Sequence, residues 1–366
     1  MKSPDHTIDF CILGAGIAGL SLADALQEHG YSVVVIEKYD IAAGASGTPG
    51  GLVNPATGRR ATKSWKAEEC YRAIRKNLEK VQAFSSANFF QNNGLLRPAL
   101  TTKMVKKMRK QYDKTRWPDG WCIWLNEKEV KERHPGINCV DGGLWLPIGL
   151  TVNVDAYLHA YASYLRSKGV TIKTRYEPTI KKMDGRWLAT DKRFAQESTH
   201  LVHTIGYATV SHGWWKYLPL EGVKGQVGKF RANKKLLSFS HSLSSLGYIA
   251  RLNDGDTFIQ GSTYEHNFDA VTTDKEGERY LRKRMARTLP ELAERARLID
   301  QWAGVRVTTP DKKPVLGRHP EINNLHIFTA LGSKGLMYGK LLAEHYADHL
   351  KHGTEVYSEI AVYRFQ

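Results

Sequence analysis

The chain has 366 residues, 42% of them hydrophobic, a length that predicts two domains with ample cores. Its net charge of +16 favours an acidic substrate, a nucleic acid or an anionic surface, unless the charge serves solubility alone. No apolar run reaches the roughly 20 residues of a membrane span, and the acidic start argues against a signal peptide. The four cysteines have no CxxC spacing, which argues against disulfides and a zinc site. We therefore expect a reduced, cytoplasmic protein.

The most informative segment is the first, residues 9–37. An apolar run at residues 10–13 precedes the glycine motif GAGIAG at residues 14–19. A helical stretch and the β-branched run at residues 33–36 follow, and the segment closes on Glu37. This order of strand, glycine turn, helix, strand and acidic residue predicts a dinucleotide-binding unit.

Each glycine of the motif has a mechanical role. Gly14 allows the tight turn, Gly16 lets the backbone approach a pyrophosphate, and Gly19 lets helix and strand pack closely. The carboxylate of Glu37 accepts hydrogen bonds from a ribose hydroxyl pair and disfavours the 2′-phosphate of NADP. The motif by itself does not separate FAD from NAD.

The rest of the chain alternates between helical and strand patterns. Residues 40–58 are rich in glycine and small residues, which suits a backbone pressed against a flat ligand. A very basic helix at residues 101–115 is either a solvated face or a nucleic-acid contact. The remaining helix predictions are 63–84, a helix that follows residues 151–155 and ends at Gly169 before a strand, and 275–298. The remaining strand predictions are 200–206, 223–230 and antiparallel strands within 247–261, and a strand, glycine turn and long helix are predicted over 325–350.

Elements of the dinucleotide type therefore occur at the start, the middle and the end of the chain. We predict an α/β fold in which a Rossmann-like FAD-binding domain is interleaved with an α+β substrate domain built on an antiparallel sheet. The predicted FAD-binding domain comprises residues 1–85, 148–212 and 304–366. The predicted substrate domain comprises residues 86–147 and 213–303, and the site is expected at the interface of the two domains.

Six ordered blocks resemble the D-amino-acid oxidase superfamily of FAD-dependent oxidoreductases, of the glycine oxidase and sarcosine oxidase type. They are GAGIAG with Glu37, residues 44–47 (GASG), 153–155 (NVD), 222–227 (GVKGQV), 302–306 (WAGVR) followed by 309–317 (TPDKKPVLG), and 332–336 (GSKGL). The last two are specific, because NAD-type Rossmann enzymes lack them. GASG, GSTY at 261–264 and GSKGL are most similar to the FAD-dependent half of the tRNA-modifying enzyme MnmC. We expect no counterpart of that enzyme's methyltransferase half among these 366 residues.

The resemblance implies an enzyme that holds FAD noncovalently, because residues 306–311 contain no counterpart of the covalent-flavin cysteine. It implies oxidation of the C–N bond of an amine or amino acid by hydride transfer to flavin N5 and hydrolysis of the imine. The implied cofactor-binding residues are Gly14, Gly16, Gly19, Glu37, Lys38, Ser46, Gly51, Leu52, Gly206, Gly332, Ser333, Lys334, Gly335 and Leu336.

Two catalytic residues are also implied. Arg306 occupies the position of the family's arginine, whose planar fork meets a substrate carboxylate bidentately. Tyr248 resembles the aromatic residue that frames the substrate, although a strand tyrosine also suits a core. Lys334 could stabilise the reduced flavin or be solvated. No Ser/His/Asp or metal-ligand spacing is visible among the 14 histidines, so no metal is predicted.

The sequence leaves three functions open. The leading one is a small-molecule amine or amino-acid oxidase, and the second is removal of a carboxymethyl group from a tRNA wobble uridine. The basic helix and the net charge favour the second. The third, a flavin-binding subunit without turnover, is disfavoured by Arg306. No membrane partner is expected, and no pattern indicates an oligomeric state.

Overall fold

The fold is described from a computed structural model and comprises residues 5–251 and 255–365. Residues 252–254, which belong to the predicted antiparallel strands of 247–261, lie outside the described residues. So do the first four residues of the acidic start and Gln366.

Eight helices occur in the described part of the chain. They are α1 (Ile17–Glu28), α2 (Ala67–Phe84), α3 (Thr102–Lys114), α4 (Glu127–Arg133), α5 (Val154–Ser167), α6 (Lys275–Thr288), α7 (Pro290–Arg295) and α8 (Gly335–His352). Four short 3-10 segments are Ala45–Gly47, Gly206–Thr209, Gly213–Trp215 and Val362–Phe365.

The first sheet has eight strands and carries the glycine motif at its centre. Its strands are β1 (Asp5–Leu13), β2 (Val33–Ile36), β11 (Thr171–Lys173), β12 (Thr179–Lys182), β13 (Trp187–Asp191), β14 (Phe194–His203), β20 (Val315–Arg318) and β21 (Leu325–Thr329). The order β11-β2-β1-β14-β21 is parallel throughout, and β12, β13 and β20 join as antiparallel neighbours. The β-branched run of β2 is fully buried, as a central parallel strand requires.

The second sheet also has eight strands and is almost wholly antiparallel. Its order is β19 (Arg297–Thr308), β15 (Glu221–Arg231), β18 (Thr257–Gly261), β17 (Tyr248–Arg251), β16 (Ser242–Ser244), β7 (Leu95–Pro98), β9 (Gly143–Leu146) and β8 (Ile123–Leu125). The smaller elements are a three-stranded sheet of β3 (Gly51–Val53), β10 (Leu150–Val152) and β6 (Phe90–Gln91), and a hairpin of β4 (Ala56–Thr57) and β5 (Thr62–Lys63).

Alternating side chains of the first sheet enter two cores. Phe10 and Ile12 of β1 pack among the helices α1, α2, α5 and α8, while Cys11 faces the opposite core with Trp187 and Trp215. The second sheet buries Phe230 and other side chains against α6 and α7, which leaves its other face free to bound a cleft.

The two sheets are woven from separate pieces of the chain, and the mixed α/β fold is confirmed. We propose that each sheet is the centre of one of the two predicted domains. The predicted boundary at residue 304 falls inside β19, which runs unbroken through the second sheet.

The single helix predicted over 275–298 is wrong. Helix α6 ends at Thr288, α7 runs from Pro290 to Arg295, and β19 begins at Arg297. Pro290 lacks a backbone N–H and fixes φ, so it ends one helix and starts the next at its first position. No helix among the described residues combines the length and the apolar run that a membrane crossing needs.

Candidate active site

A cleft of about 640 Å³ lies between the two sheets. On the side of the first sheet, the wall of the cleft consists of the starts of α1 and α8 and the loop after β14. The second sheet contributes one face of its central strands. Residues of the glycine-rich segment, including Ser46, Gly51 and Leu52, close the cleft from a third side.

Two helix N-termini open into this cleft. Helix α1 starts after Gly16 and α8 starts after Lys334, and neither N-terminus has a side-chain cap. Uncapped N–H groups and the positive ends of two helix dipoles favour an anionic group. The N–H of Ile17 donates to the Ser46 hydroxyl at 3.2 Å.

The glycines of the motif leave no room for side chains. A Cβ on Gly14 would lie 2.5 Å from the Thr204 carbonyl oxygen, and φ at Gly14 is +108°. On Gly16 it would meet the Ser46 hydroxyl at 2.9 Å, and on Gly19 the Gly14 carbonyl oxygen at 1.9 Å. The tight turn and the close helix contact predicted for Gly14 and Gly19 are thus the geometry found.

Glu37 and Lys38 follow β2 and lie behind the glycine turn. One carboxylate oxygen of Glu37 accepts the Ala15 N–H at 2.8 Å, and the other accepts the Tyr39 N–H at 2.9 Å. Each oxygen keeps further acceptor capacity for a ribose hydroxyl. Lys38 does not line the cleft; it pairs on the surface with Glu177 at 2.6 Å, so a cofactor contact of Lys38 stays a prediction.

Ten of the predicted cofactor-binding residues line the cleft. They are Gly16, Ser46, Gly51, Leu52, Gly206, Gly332, Ser333, Lys334, Gly335 and Leu336. Burial lowers the pKa of Lys334, whose ammonium lies 5.3 Å from the Tyr338 ring. Gly14, Gly19 and Glu37 support the turn rather than line the cleft.

Arg306 projects from β19 into the cleft. Its guanidinium donates to the Ser262 hydroxyl at 3.0 Å and to the Thr263 carbonyl at 2.8 Å, and it lies 4.4 Å from the Tyr264 ring centre. No acidic side chain of the described residues pairs with it. Two of its five N–H groups are used, which leaves three for a carboxylate.

Tyr248 lies beside Arg306 at the centre of the cleft. Its hydroxyl donates to the Gly50 carbonyl at 2.9 Å and thereby joins β17 to the glycine-rich segment. Burial raises the pKa of Tyr248 to about 12, so the phenol stays protonated at neutral pH. Its ring can frame a ligand, but it is no base.

Two glycines make room for these side chains. A Cβ on Gly225 of β15 would lie 2.3 Å from Arg306 Nη2, and a Cβ on Gly261 of β18 would lie 2.4 Å from the Tyr248 ring. Both side chains therefore lie flat across the neighbouring strand. The end of the cleft that holds Arg306 and Tyr248 depends on strand residues that have no side chain at all.

Several lining residues were not predicted from the sequence. They are Arg59, Arg97, Ser262, Tyr264, Tyr280 and Arg284. No short motif contains Arg59, Arg97, Tyr280 or Arg284, which reach the cleft from the β4–β5 turn, β7 and α6. The exception is GSTY at 261–264, whose resemblance to MnmC was the one available signal for Ser262 and Tyr264.

One group of possible metal ligands lies away from the cleft, at His29, Asp348 and His352, with ligand atoms within 4.8 Å of one another. His29 Nδ1 contacts the Ala25 carbonyl at 2.8 Å, and His352 Nδ1 contacts Asp348 Oδ1 at 2.8 Å. These are helix-end contacts, and we assign no metal to them.

The family model for FAD-dependent oxidoreductases matches residues 9–349. The chain belongs to the FAD-dependent oxidoreductases. The predicted enzyme class and FAD as cofactor are confirmed, and the site geometry fits that cofactor. The uncapped helix ends suit its pyrophosphate, and the side-chain-free backbone around Gly14 and Gly16 suits its close approach.

Two relatives of this FAD-dependent oxidoreductase are MnmC proteins, whose full name is tRNA 5-methylaminomethyl-2-thiouridine biosynthesis bifunctional protein. The protein from Idiomarina loihiensis is 27% identical to this chain, and the protein from Maricaulis maris is 28% identical. The matches cover 92% and 94% of this chain but 54% and 52% of those proteins, so the chain spans about half their length.

Solved structures with the same fold include two oxidases. Glycine oxidase from Geobacillus kaustophilus matches with a TM-score of 0.84 and 21% identity, covering 97% of this chain and 100% of that one. Iminodiacetate oxidase from Chelativorans sp. BNC1 matches with a TM-score of 0.78 and 21% identity, covering 96% and 99%. These matches show the fold, and the family match over residues 9–349 confirms the predicted superfamily of FAD-dependent oxidoreductases.

Proposed function

We propose that this enzyme oxidises the C–N bond of an amine that carries a carboxylate, such as an amino acid or an N-carboxymethyl amine. The observation that carries the proposal is Arg306, a guanidinium in the cleft with no acidic partner among the described residues and three N–H groups to spare. Bound FAD would accept a hydride from the carbon beside the amine nitrogen, and water would hydrolyse the imine.

The chain's own residues do the positioning. Arg306 binds the carboxylate, and the hydrogen bonds to Ser262 and Thr263 fix the plane of its fork. The rings of Tyr248 and Tyr264 bound the space next to it. Lys334, at the start of α8, adds positive charge where the reduced flavin would carry negative charge.

FAD is proposed to be held noncovalently, since residues 306–311 contain no cysteine. Acid precipitation should therefore release intact FAD into the supernatant. Yellow colour that stays in the pellet would contradict this. The four thiols of the chain are all free, which suits a reducing compartment, and we place the enzyme in the cytoplasm.

The test is Arg306→Ala in the FAD-loaded enzyme, titrated with carboxylate inhibitors. We expect binding to weaken by about 2–5 kcal/mol, or roughly 30- to 4,000-fold, with FAD still bound. Arg306→Lys should also be impaired, because a point charge cannot replace the fork. The control is Arg72→Ala, an exposed arginine of α2 outside the cleft. If Arg306→Ala bound the inhibitors as tightly as the parent enzyme, Arg306 would not be the residue that binds the carboxylate.

A second candidate function is oxidation of a carboxymethylaminomethyl group on tRNA. It is supported by α3, on which Lys103, Lys106, Lys107, Arg109 and Lys110 are exposed. Met108 of α3 packs with Ala56 and Ala61 of the β4–β5 hairpin, whose turn lines the cleft. The basic helix therefore lies next to the cleft mouth, where a polynucleotide would pass.

Direct tRNA binding across a salt series tests this candidate. Reversing the five α3 charges to glutamate should weaken binding and flatten its salt dependence, since each phosphate that is no longer neutralised removes about 0.7–0.9 from the slope. Lys181→Glu with Lys182→Glu, on exposed β12, reverses two charges away from α3 and serves as the control when the effects are compared per reversed charge. If the protein showed no affinity for tRNA at low salt, oxidation of a small molecule would be the one remaining candidate function.

A further inference from the structure

Arg97 is a buried cation without an acidic partner. It is 4% exposed on β7 and lines the cleft. Nη1 donates to the Ser244 hydroxyl at 2.8 Å and Nη2 to the Gly58 carbonyl at 2.6 Å, while Nε has no hydrogen-bond partner. No carboxylate of the described residues forms an ion pair with it. A buried guanidinium in such surroundings is costly unless an anion compensates it.

The pairing register places Arg97 and Arg306 at opposite ends of one sheet face. A row of paired positions crosses the second sheet, and all of its members line the cleft: Ser244, Tyr248, Gly261, Val227 and Trp302. Arg97 continues this row beside Ser244, one residue beyond the pair Leu96 and Leu243, and donates to the Ser244 hydroxyl. Arg306 is four residues beyond Trp302 on β19 and so faces the same side.

The row spans five strand spacings. At about 4.8 Å each, its ends are on the order of 24 Å apart at the backbone of a flat sheet. Sheet curvature and two long side chains shorten the gap, but Tyr248 still lies between them. One small carboxylate therefore cannot bind to Arg97 and Arg306 together.

Two more arginines lie at the Arg97 end. Arg284 of α6 donates to the Leu246 carbonyl at 2.8 Å and to the Tyr280 hydroxyl. Arg59 is exposed at the turn of the β4–β5 hairpin, next to the Gly58 carbonyl that Arg97 holds. Both line the cleft, and neither forms an ion pair within the part of the chain that the structure describes.

We propose that Arg97, Arg59 and Arg284 form a second anion subsite, which binds a carboxylate or phosphate on the amine substituent of the substrate. The inference rests on the proposed function, in which Arg306 holds the carboxylate next to the reacting carbon. The substrate is then an elongated amine with an anion at each end. A long diacid and a nucleotide both have this chemistry, and they differ in which anion they offer.

The experiment is calorimetric titration of the FAD-loaded enzyme with dicarboxylates from glutarate to sebacate. Each diacid is paired with the monocarboxylate of the same chain length, so that only the second charge differs. We expect the longer diacids to bind at least tenfold more tightly than their partners. A second arm compares uridine 5′-monophosphate with uridine and distinguishes a phosphate from a carboxylate source.

Arg97→Gln should abolish the advantage of the diacids while leaving the monocarboxylates unchanged. Because Arg97 is buried, that variant can fail to fold, so Arg59→Gln combined with Arg284→Gln provides an independent reading, with Arg60→Gln as control. We expect the double variant to lose most of the advantage and the control to keep it. FAD content and thermal unfolding establish that each variant is folded.

Two outcomes would overturn the subsite. One is equal affinity for mono- and dicarboxylates at every length together with equal affinity for the nucleotide and the nucleoside. The other is an advantage that persists in both the Arg97 and the double variant. Failure of the proposed function has a different signature, namely monocarboxylate binding that Arg306→Ala leaves intact.

Discussion

Gly225, on the strand next to Arg306, has no side chain, and this sets the position of the Arg306 guanidinium. Gly225 lies so close that a Cβ would be 2.3 Å from Nη2. The arginine is thus held between the Thr263 carbonyl, the Ser262 hydroxyl and bare backbone. A residue without a side chain therefore decides where the carboxylate would bind.

Gly225→Ala should displace Arg306 and weaken carboxylate inhibitors by about tenfold or more, because bidentate pairing tolerates little misplacement. FAD content should not change, since β15 lies at the substrate end. Inhibitor titration of the FAD-loaded enzyme measures the effect. The control is Gly213→Ala, where a Cβ meets no atom within 4 Å. Equal reductions in affinity in the two variants would contradict a positioning role for Gly225.

At the scale of elements, one carboxylate joins four helices. Asp24 of α1 is 1% exposed and accepts from Lys80 of α2 at 2.8 Å, Tyr161 of α5 at 2.6 Å and Lys340 of α8 at 2.5 Å. Burial opposes ionisation, but the two lysines outweigh it and lower the pKa of Asp24. The network fixes α1 against α8, whose N-termini both face the cleft.

Asp24→Asn should reduce the free energy of unfolding by about 2–3 kcal/mol, because it removes the buried counter-ion of Lys340. Lys340 then keeps only the more exposed carboxylates of Glu28 at 3.5 Å and Glu344 at 3.4 Å. Glu28→Gln removes a neighbouring carboxylate that is 45% exposed and should cost less than about 1 kcal/mol. Urea unfolding of both variants gives the comparison. A reduction below about 1 kcal/mol for Asp24→Asn would show that the network does not stabilise the helix pair.

Local patterns predicted the elements that one continuous segment specifies. The β1–α1–β2 unit, the cofactor and the family followed from residues 9–37 and a few short blocks, because each block carries its own turn and packing requirements. The break at Pro290 was also visible in the sequence, yet the charged periodicity on both sides obscured it.

Pairing between strands that are far apart in the sequence explains why some residues of the cleft were not predicted. Arg97 and Tyr248 are 151 positions apart and share a row only because β7, β16 and β17 are adjacent. Other basic residues surround Arg284 in the sequence, and Arg97 lies in an apolar strand pattern, so composition gives no reason to single out either one. The burial of Arg97, and the lack of an acidic partner for either arginine among the described residues, appear only in the folded chain. The contact of Lys38 with cofactor stays a prediction.

For the whole molecule, buried histidines make stability depend on pH. Burial lowers the pKa of His203 and of His241 to about 3 each, so both stay neutral in the folded protein. The unfolded chain, where the pKa is about 6.5, takes up these protons as the pH falls. The free energy of unfolding therefore decreases below about pH 6.5 and continues to decrease towards pH 3.

Between pH 7 and pH 5, each of these histidines should remove about 2 kcal/mol of stability. His241→Phe should reduce the pH dependence by about that amount, because the ring packs among Phe239, His134 and Trp145 and an apolar ring suits that site. Urea unfolding at the two pH values measures it, with exposed His159→Gln as control. An unchanged difference in His241→Phe would contradict the assignment.

The weaving of the chain has a consequence for synthesis on the ribosome. The central strands β1, β14 and β21 begin at residues 5, 194 and 325, and α8, which supplies half of the dinucleotide cradle, begins at Gly335. The glycine motif is thus made more than 300 residues of translation before its counterpart exists. The complete cradle for the cofactor can therefore form only after α8 has been synthesised and has packed against α1.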